Sequence, residues 1–541
     1  MYLVSTTVGA PRLEAWKYPL PEDKEIFRIH RVVIDVDSAT VVRLLMPPDQ
    51  HRSTINDHVA DGSTLLDVEW YRDSSHVAFV SSSRDHKEAV FRIGSTSNGE
   101  VRTVFREHVE TQFQSGLAAV GRVNWRVLPA SREVLWWSQR DDWGHLYLYD
   151  LETGSLKQQI TRGEWNVAEL LHVDEQTRTL YFTGVGREPG RDPYFQHFYR
   201  VGMEGRGLTL LTPEDAHHTI RLSPDARHVV DTYSTPTTPP VSVLRRIDGE
   251  RMLDLERADI SRLTAFGWKP PQPIVVKARD GRTDLYGLMF TPASLDPARR
   301  YPVVNFVYPG PWGGSVGTRS FAPARGDHQA LAELGFIVVL IDGMGTEWRS
   351  KRFADFSYGN LGDNTIPDQI AGLRELAKRH PYIDIERAGI WGHSGGGMAA
   401  ASAMFRHPEF FKAGVAQAGN HDNRNYEDDW GERFQGLLRP DGGRDNYEAQ
   451  ANQLVARNLR GKLLLAHGAM DDNVPIANTY LVVDALIKAN KDFDLIVLPR
   501  ARHGFGADNN YMMRRRWDFF VRHLQGAEPP QEYRIGGKPG G

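Results

Sequence analysis

The hydrophobic pattern changes its period once, near Ala265, and that change dictates two architectures in one polypeptide. Before it, short alternating runs such as Val77-Ala-Phe-Val, Val134-Leu-Trp-Trp, Thr179-Leu-Tyr-Phe and Val229-Val-Asp-Thr-Tyr are separated by polar turns. The anchors Trp70, Trp125, Leu170 and Ile220 stand 55, 45 and 50 residues apart. All-β repeats of this length predict propeller blades, and residues 1–265 have room for five or six. A β-sandwich with accidental spacing is the competing fold.

Beyond Pro270-Pro271-Gln-Pro273, which reads as a linker, near-continuous apolar runs alternate with helical segments. The runs include Val303-Val-Asn-Phe-Val, Phe336-Ile-Val-Val-Leu-Ile, Ala388-Gly-Ile-Trp, Leu463-Leu-Leu-Ala and Asp494-Leu-Ile-Val-Leu. The helices are expected over 366–379, 397–405, 478–489 and 512–524. Strands apolar on both faces and separated by helices build a mostly parallel sheet covered on both sides. Residues 266–525 are therefore expected to form an α/β domain, with 526–541 as a C-terminal tail.

Composition narrows the function. The 541 residues exceed one compact domain, and 65 basic against 69 acidic side chains leave a net charge of −4. Such a balance provides no electrostatic footprint for nucleic acid. No run approaches the ~20 apolar residues of a membrane span. The absence of Cys excludes disulfide scaffolds, thiol catalysis and thiolate metal sites. The opening residues lack the basic and apolar regions of a signal peptide, so the chain reads as cytoplasmic or as the processed form of an exported protein.

Chemistry is concentrated after the linker. Ala388-Gly-Ile-Trp runs into Gly392-His-Ser394-Gly-Gly396-Gly and then the small-residue helix Met398-Ala-Ala-Ala-Ser. G-x-S-x-G between a strand and a helix is the nucleophile elbow of α/β-hydrolases, a turn so sharp that its flanking positions must lack side chains. The serine needs a base, and the base a carboxylate that orients it. Both follow in the expected order at strand ends: Ala469-Met-Asp471-Asp472-Asn473 after one strand, Arg500-Ala-Arg-His503-Gly504 after the next. The residues alone leave Asp471 and Asp472 open, since either could instead cap the helix near Pro475. The Gly395 amide is one expected oxyanion donor, and the loop beginning at Tyr308 occupies the place where such folds supply a second. There is no H-E-x-x-H, Gly343-Met-Gly345 is an incomplete phosphate motif, and His217-His218 and His421-Asp422 read as loop residues. Neither a metal nor a cofactor is expected.

A propeller followed by a hydrolase with these motifs resembles the prolyl oligopeptidase family of serine peptidases, most closely its dipeptidyl peptidase IV branch. The similar segments are Trp137-Ser-Gln-Arg-Asp-Asp-Trp-Gly-His145, Tyr308-x-Gly-Pro, Asp342-Gly-Met-Gly, Trp391-Gly-His-Ser394-Gly-Gly-Gly, Glu432-Arg433, Asp471-Asp-Asn473-Val474 and His503-Gly504. The resemblance implies Ser394 as nucleophile, His503 as base and Asp471 as its partner. It implies Tyr308 for the oxyanion, Asn473 for a substrate carbonyl, and Tyr426, Trp430 and Val474 for a proline-sized pocket. It also implies peptide substrates and is compatible with a homodimer. Two positions depart from the family pattern: Gly395 and Asn423 stand where aromatic residues are usual, so a wider, more polar pocket is expected. The branch's paired-glutamate grip on the substrate amino terminus has no counterpart here, and the propeller segment is shorter than the family's. The chain is therefore expected to be an N-terminally truncated form. An esterase or acylaminoacyl-peptidase using the same triad, and a non-catalytic binding propeller, are the rival readings.

Overall fold

A computed structural model describes residues 2–4, 10, 12–50, 60–61, 64–65, 67–117, 123–311, 313–441 and 444–536. Four consecutive antiparallel meanders of four strands each run from Val68 to His108, Arg126 to Gln159, Asn166 to Leu210 and His217 to Arg257. The spaced anchors fall on or beside the first strand of each sheet: Trp70, Leu170 and Ile220 within it, Trp125 immediately before. Residues 28–50 do not add a fifth such sheet. They form two short ladders, Arg28–Ile29 with Asp49–Gln50 and Val32–Asp35 with Thr40–Arg43. The expected five or six blades thus become four among the described residues, because repeat length alone cannot tell a four-stranded unit from shorter hairpins.

Trp136-Trp137 illustrates why these sheets stack. Successive side chains of a strand point to opposite faces. Trp136 packs with Phe91, Phe105 and Tyr149 toward the first sheet, whereas Trp137 joins Trp165 and Phe182 toward the third. Every residue of Glu133–Ser138 is buried, as expected for a blade held between two others. His217 and His218, expected in a loop, instead begin the first strand of the fourth sheet. A five-residue helix, Ser261–Ala265, follows the last strand.

The second half is an eight-stranded sheet. Its strands are β1 (Gln272–Lys277), β2 (Asp284–Phe290), β3 (Tyr301–Phe306), β4 (Ile337–Ile341), β5 (Ile383–His393), β6 (Phe411–Gln417), β7 (Lys462–Gly468) and β8 (Asp494–Leu498). The spatial order is β1-β2-β4-β3-β5-β6-β7-β8, antiparallel for the first two pairings and parallel for the rest. Helices cover both faces: α1 (Ile366–Arg379), α2 (Gly395–Arg406), α3 (Asp428–Gln435), α4 (Ala477–Lys488) and α5 (Asn509–Phe520). One apolar core lies under α1, α2 and α4, and a second under α5, which explains why the parallel strands are apolar on both faces. No helix of the described residues is long and apolar enough to cross a membrane.

The two halves are held by charge. Arg84 of the first meander donates two hydrogen bonds to Glu432 of α3, Nε to Oε2 at 2.8 Å and Nη2 to Oε1 at 2.6 Å. His86 lies 3.2 Å from Asp429 on the same helix. Nearby, Lys351 bonds Thr111 and the carbonyl of Gln112, and Asn166 donates to the Arg349 carbonyl. Burial raises the Glu432 carboxyl from its ordinary value even with Arg84 beside it, so this pair depends on both partners. Removing one partner of a buried pair leaves an uncompensated group. Arg84→Ala is expected to destabilise the protein by about 3 kcal/mol, the low end of that range because Arg84 retains some solvent contact. Arg84→Ala/Glu432→Gln should recover at least half of the loss, read as denaturation midpoints at neutral pH.

Candidate active site

Three strand ends converge on one point. Ser394 ends β5, the Asp471 loop follows β7, and the His503 loop follows β8. Ser394 has φ 61° and ψ −124°, a region that a residue with a side chain occupies only when its surroundings enforce it. Those surroundings are carbonyls. A Cβ on Gly392 would lie 2.4 Å from the Gly396 oxygen and 2.6 Å from that of Val307, one on Gly396 2.3 Å from the Val307 oxygen, and one on Gly397 2.2 Å from that of Gln417. Gly395 differs. Its closest neighbours would be the Tyr308 ring and hydroxyl at 3.5 Å, an ordinary contact, so nothing in the turn itself demands glycine there.

His503 Nε2 is 2.9 Å from Ser394 Oγ, and His503 Nδ1 is 2.7 Å from Asp471 Oδ2. The structure separates the two adjacent aspartates. Asp471 is fully buried, and its Oδ1 accepts the amides of Asn473 at 3.0 Å and Val474 at 2.9 Å. Asp472 points outward and pairs with Arg502. Burial alone would raise the Asp471 carboxyl, but hydrogen bonds from His467 and His503 hold it down at about 2, so it is ionised at any working pH.

His467, which sequence reasoning did not single out, is fully buried. It lies 2.7 Å from the Thr479 hydroxyl through Nδ1, and through Nε2 2.9 Å from the Val474 carbonyl and 3.2 Å from Asp471 Oδ2. His393 was missed as well: its ring centre lies 4.9 Å from that of His503 with the planes tilted by 58°, and burial pushes it down to about 3, so it stays neutral. Only the histidine preceding a turn glycine, in Ala466-His467-Gly468, hinted at either, because their roles arise from elements that meet in space.

Around this line stand the remaining expected residues. The Gly395 amide is the first of α2, where helix geometry leaves N–H groups without intrahelical partners and concentrates positive potential. The Tyr308 phenol lies over it, and burial, reinforced by the Glu347 carboxyl, raises its pKa, so it remains a donor. The amide of Tyr308 donates to Ser315 Oγ at 3.0 Å, which fixes the loop. The Gly395 amide adjoins Ser394 and the Tyr308 hydroxyl lies close to Gly395, so two donors stand near the serine.

Tyr426, Trp430 and Val474 share one buried apolar cluster with Leu361, Met398 and Phe434. Tyr426 Oη donates to Asn473 Oδ1 at 2.9 Å, which leaves the Asn473 NH2 group as donor. Asn423 does not open this cluster. It is buried in a chain of amides, accepting from Asn420 at 2.7 Å and donating to Gln435 at 2.6 Å. His421-Asp422, expected as ordinary loop residues, are buried too: His421 meets the Asn452 amide, and Asp422 pairs with Arg424.

Among the described residues one group of donor atoms is compact enough for a cation: Glu214, His218 and Asp231, mutually within 4.8 Å. Arg245 already fills that role. Its guanidinium bonds Asp231 at 2.9 Å and both Glu214 oxygens at 2.7 and 2.8 Å, while His218 Nδ1 meets Asp231 at 2.8 Å. The cluster is an arginine-bridged network that joins the fourth sheet to the residue stretch just before it.

Two family models match the chain in tandem: the Dipeptidyl peptidase IV (DPP IV) N-terminal region over residues 1–240 and the Prolyl oligopeptidase family over 324–527. Dipeptidyl peptidase 8 of Homo sapiens is 30% identical over 359 residues, 64% of this chain and 39% of its own length. Dipeptidyl peptidase 8 of Mus musculus is 29% identical over a stretch of the same size, 40% of its length. The chain thus spans about two fifths of the curated relatives it matches. Among solved structures, a Bacteroides ovatus protein provisionally assigned as a dipeptidyl aminopeptidase IV superposes with a TM-score of 0.83 at 25% identity, covering 96% of this chain and 73% of that one. Porphyromonas gingivalis dipeptidyl peptidase 4 shares the fold with a TM-score of 0.79 at 24% identity, covering 97% of this chain and 71% of that one.

Glu347 gives the site a pH signature. It is buried against Gln114 of the first half, 3.4 Å away, and burial pushes its carboxyl up to about 8, only partly offset by Arg433. The folded protein therefore holds a proton there that the unfolded chain releases near 4.5. Folded stability accordingly declines as pH rises through the window from about 4.5 to 8. Glu347→Gln removes this slope, so its melting temperature should gain on the wild type between about pH 5.5 and 8.5. Ionised Glu347 beside Tyr308 also opposes an oxyanion. Hydrolytic rate should therefore fall above about pH 8 in the wild type and stay flatter in Glu347→Gln, measured under kcat/KM conditions.

Proposed function

Because the chain belongs to the prolyl oligopeptidase family, we propose that it is a serine peptidase that releases dipeptides from the amino termini of short peptides, with proline or alanine before the scissile bond. The observation that carries this reading is the unbroken line Ser394–His503–Asp471, with Tyr308 over the Gly395 amide on one side and the Tyr426–Asn473 cluster on the other. In this reading residues 1–265 form the propeller, 266–525 the catalytic domain and 526–541 a tail.

Ser394 Oγ attacks the peptide carbonyl while His503 Nε2 takes its proton. Asp471, ionised and held by two backbone amides, fixes the imidazole with Nδ1–H toward the carboxylate and stabilises the imidazolium. The oxyanion is received by Gly395 N–H and Tyr308 O–H. His503 then gives its proton to the departing amine, the acyl group stays on Ser394, and water attacking by the same route regenerates the enzyme. Asn473 NH2 is directed to a substrate carbonyl, and Tyr426, Trp430 and Val474 accept a compact apolar side chain. A pocket walled by aromatic and branched residues favours proline or alanine over charged residues by burial of apolar surface.

The test is a panel of Ala-Pro-, Gly-Pro- and acetyl-Ala-anilides with a p-nitrophenyl ester. Preference for the free-amino prolyl anilides supports the dipeptidyl reading. Ester or acetylated-substrate preference replaces it with esterase or acylaminoacyl-peptidase activity. Ser394→Ala should lower every activity on the order of 10⁴-fold with the fold intact, because triad members act as a unit. Retained turnover in that variant removes Ser394 as the nucleophile.

A further inference from the structure

An extended segment near the amino terminus lies against the candidate pocket, some 400 residues away in sequence, and none of its residues carries a sequence motif. Tyr18 is its point of entry. The Tyr18 hydroxyl donates to the backbone carbonyl of Asn473 at 2.6 Å and accepts the backbone N–H of Glu427 at 3.1 Å. One oxygen thereby ties the Asp471–Val474 loop to the start of α3. The Tyr18 ring packs on the cluster of Tyr426, Trp430 and Val474.

The segment is anchored along its length. The Pro19 carbonyl accepts the Asp428 N–H at 3.1 Å, and a Cβ on Gly431 would come within 3.1 Å of Pro21, so α3 presents its smallest residue where the strap crosses. Leu20 and Asp23 close a turn through the Asp23 carboxylate at 2.9 Å. Arg84, while gripping Glu432, also donates to the Asp23 carbonyl at 2.7 Å and that of Lys24 at 3.3 Å. Pro21 and Ile26 are buried. A segment held at both ends over a pocket wall has little freedom left to lose when substrate arrives, which is how preorganisation strengthens binding.

Asn473 is thus held twice by tyrosines: its side-chain oxygen by Tyr426 and its backbone oxygen by Tyr18. With both oxygens engaged, its NH2 group is aimed as a donor and the loop behind it cannot drift from Tyr426. We infer that Tyr18 is a specificity-determining positioning residue, which sets the width of the acyl pocket and the aim of the Asn473 amide and so selects peptides with a short residue before the scissile bond. This rests on the peptidase reading for the identity of the substrate, but not for the geometry. Tyr18 acts through the Asn473 backbone and the wall of the cluster, so its effect is on binding of the peptide portion.

The experiment compares Tyr18→Phe, which keeps the ring and removes the hydroxyl, with Tyr18→Ala. For Tyr18→Phe the KM for Ala-Pro-anilide should rise roughly tenfold with kcat changed less than threefold, the loss expected for two hydrogen bonds that fix a loop. Its selectivity for Ala-Pro- over Leu-Leu-anilide should fall, while its melting temperature moves by no more than a few degrees. Tyr18→Ala should lose both selectivity and stability. A second arm needs no turnover: on a Ser394→Ala background, calorimetry with the tripeptide Ala-Pro-Ala should give weaker binding for Tyr18→Phe by a similar factor. If that arm holds while the wild type cleaves no anilide, the peptidase reading fails and the inference about Tyr18 stands. Equal losses of kcat/KM on anilide and ester, unchanged selectivity, or no tripeptide binding to Ser394→Ala would overturn it.

Discussion

Where β5 passes into α2, three carbonyls crowd the chain so closely that no side chain fits on Gly392, Gly396 or Gly397. That crowding fixes everything around it. It forces Ser394 to positive φ and lifts its hydroxyl out of the turn toward His503. It also places the first amide of α2 next to that serine, so a hydroxyl and a free helix-start amide come from one local geometry. The carbonyls themselves belong to β3, β6 and the turn, which makes the elbow a product of the parallel sheet. Strain of this kind survives only where the surrounding packing overdetermines it. Here a core of β-strands and the alanine-rich face of α2 supplies that packing.

Electrostatics around the site sort neighbouring groups of the same type into different states. Asp471 and Asp472 are adjacent, yet one is buried under four donors and the other faces solvent against an arginine. Glu347 and Asp471 are both buried, but hydrogen-bond donors hold one ionised near 2, and burial with few donors holds the other neutral up to about 8. Number of donors, more than depth, decides the charge. For His393 it is burial, with His503 beside it, that keeps the imidazole neutral.

The halves meet through charged and polar contacts that include those of residues 347–355 and of α3, the helix that also carries Trp430 and follows Tyr426. Arg84 joins three things at once: the first meander, α3 through Glu432, and the strap through two carbonyls. The pocket wall is therefore built jointly by both halves and the strap. A change in the first half can reach the candidate pocket through α3 without touching Ser394, His503 or Asp471.

The sequence by itself determined the change of period near Ala265, the parallel sheet, and the elbow with its acid and base, because each is written in local pattern: alternation, apolar runs, a glycine-bounded serine and an order of strand ends. It marked Tyr308 by its place after the first strong strand, but placed Asn473, Tyr426, Trp430 and Val474 only through likeness to a known family, since nothing local marks them. It expected five or six blades where the described residues hold four four-stranded sheets, because length does not reveal how many strands pair, and it took His217-His218 for loop, because a polar pair on a half-buried strand has no apolar run to announce it. Only the tertiary structure decided between Asp471 and Asp472, buried His467 behind the carboxylate, set Glu347 beside Tyr308 and laid Tyr18 against Asn473. Apart from His467 and Asp471, which stand four residues apart, these are contacts between segments tens to hundreds of residues apart. Their energy comes from burial and from hydrogen bonds that exist only after the sheet has closed, so no window of sequence contains them.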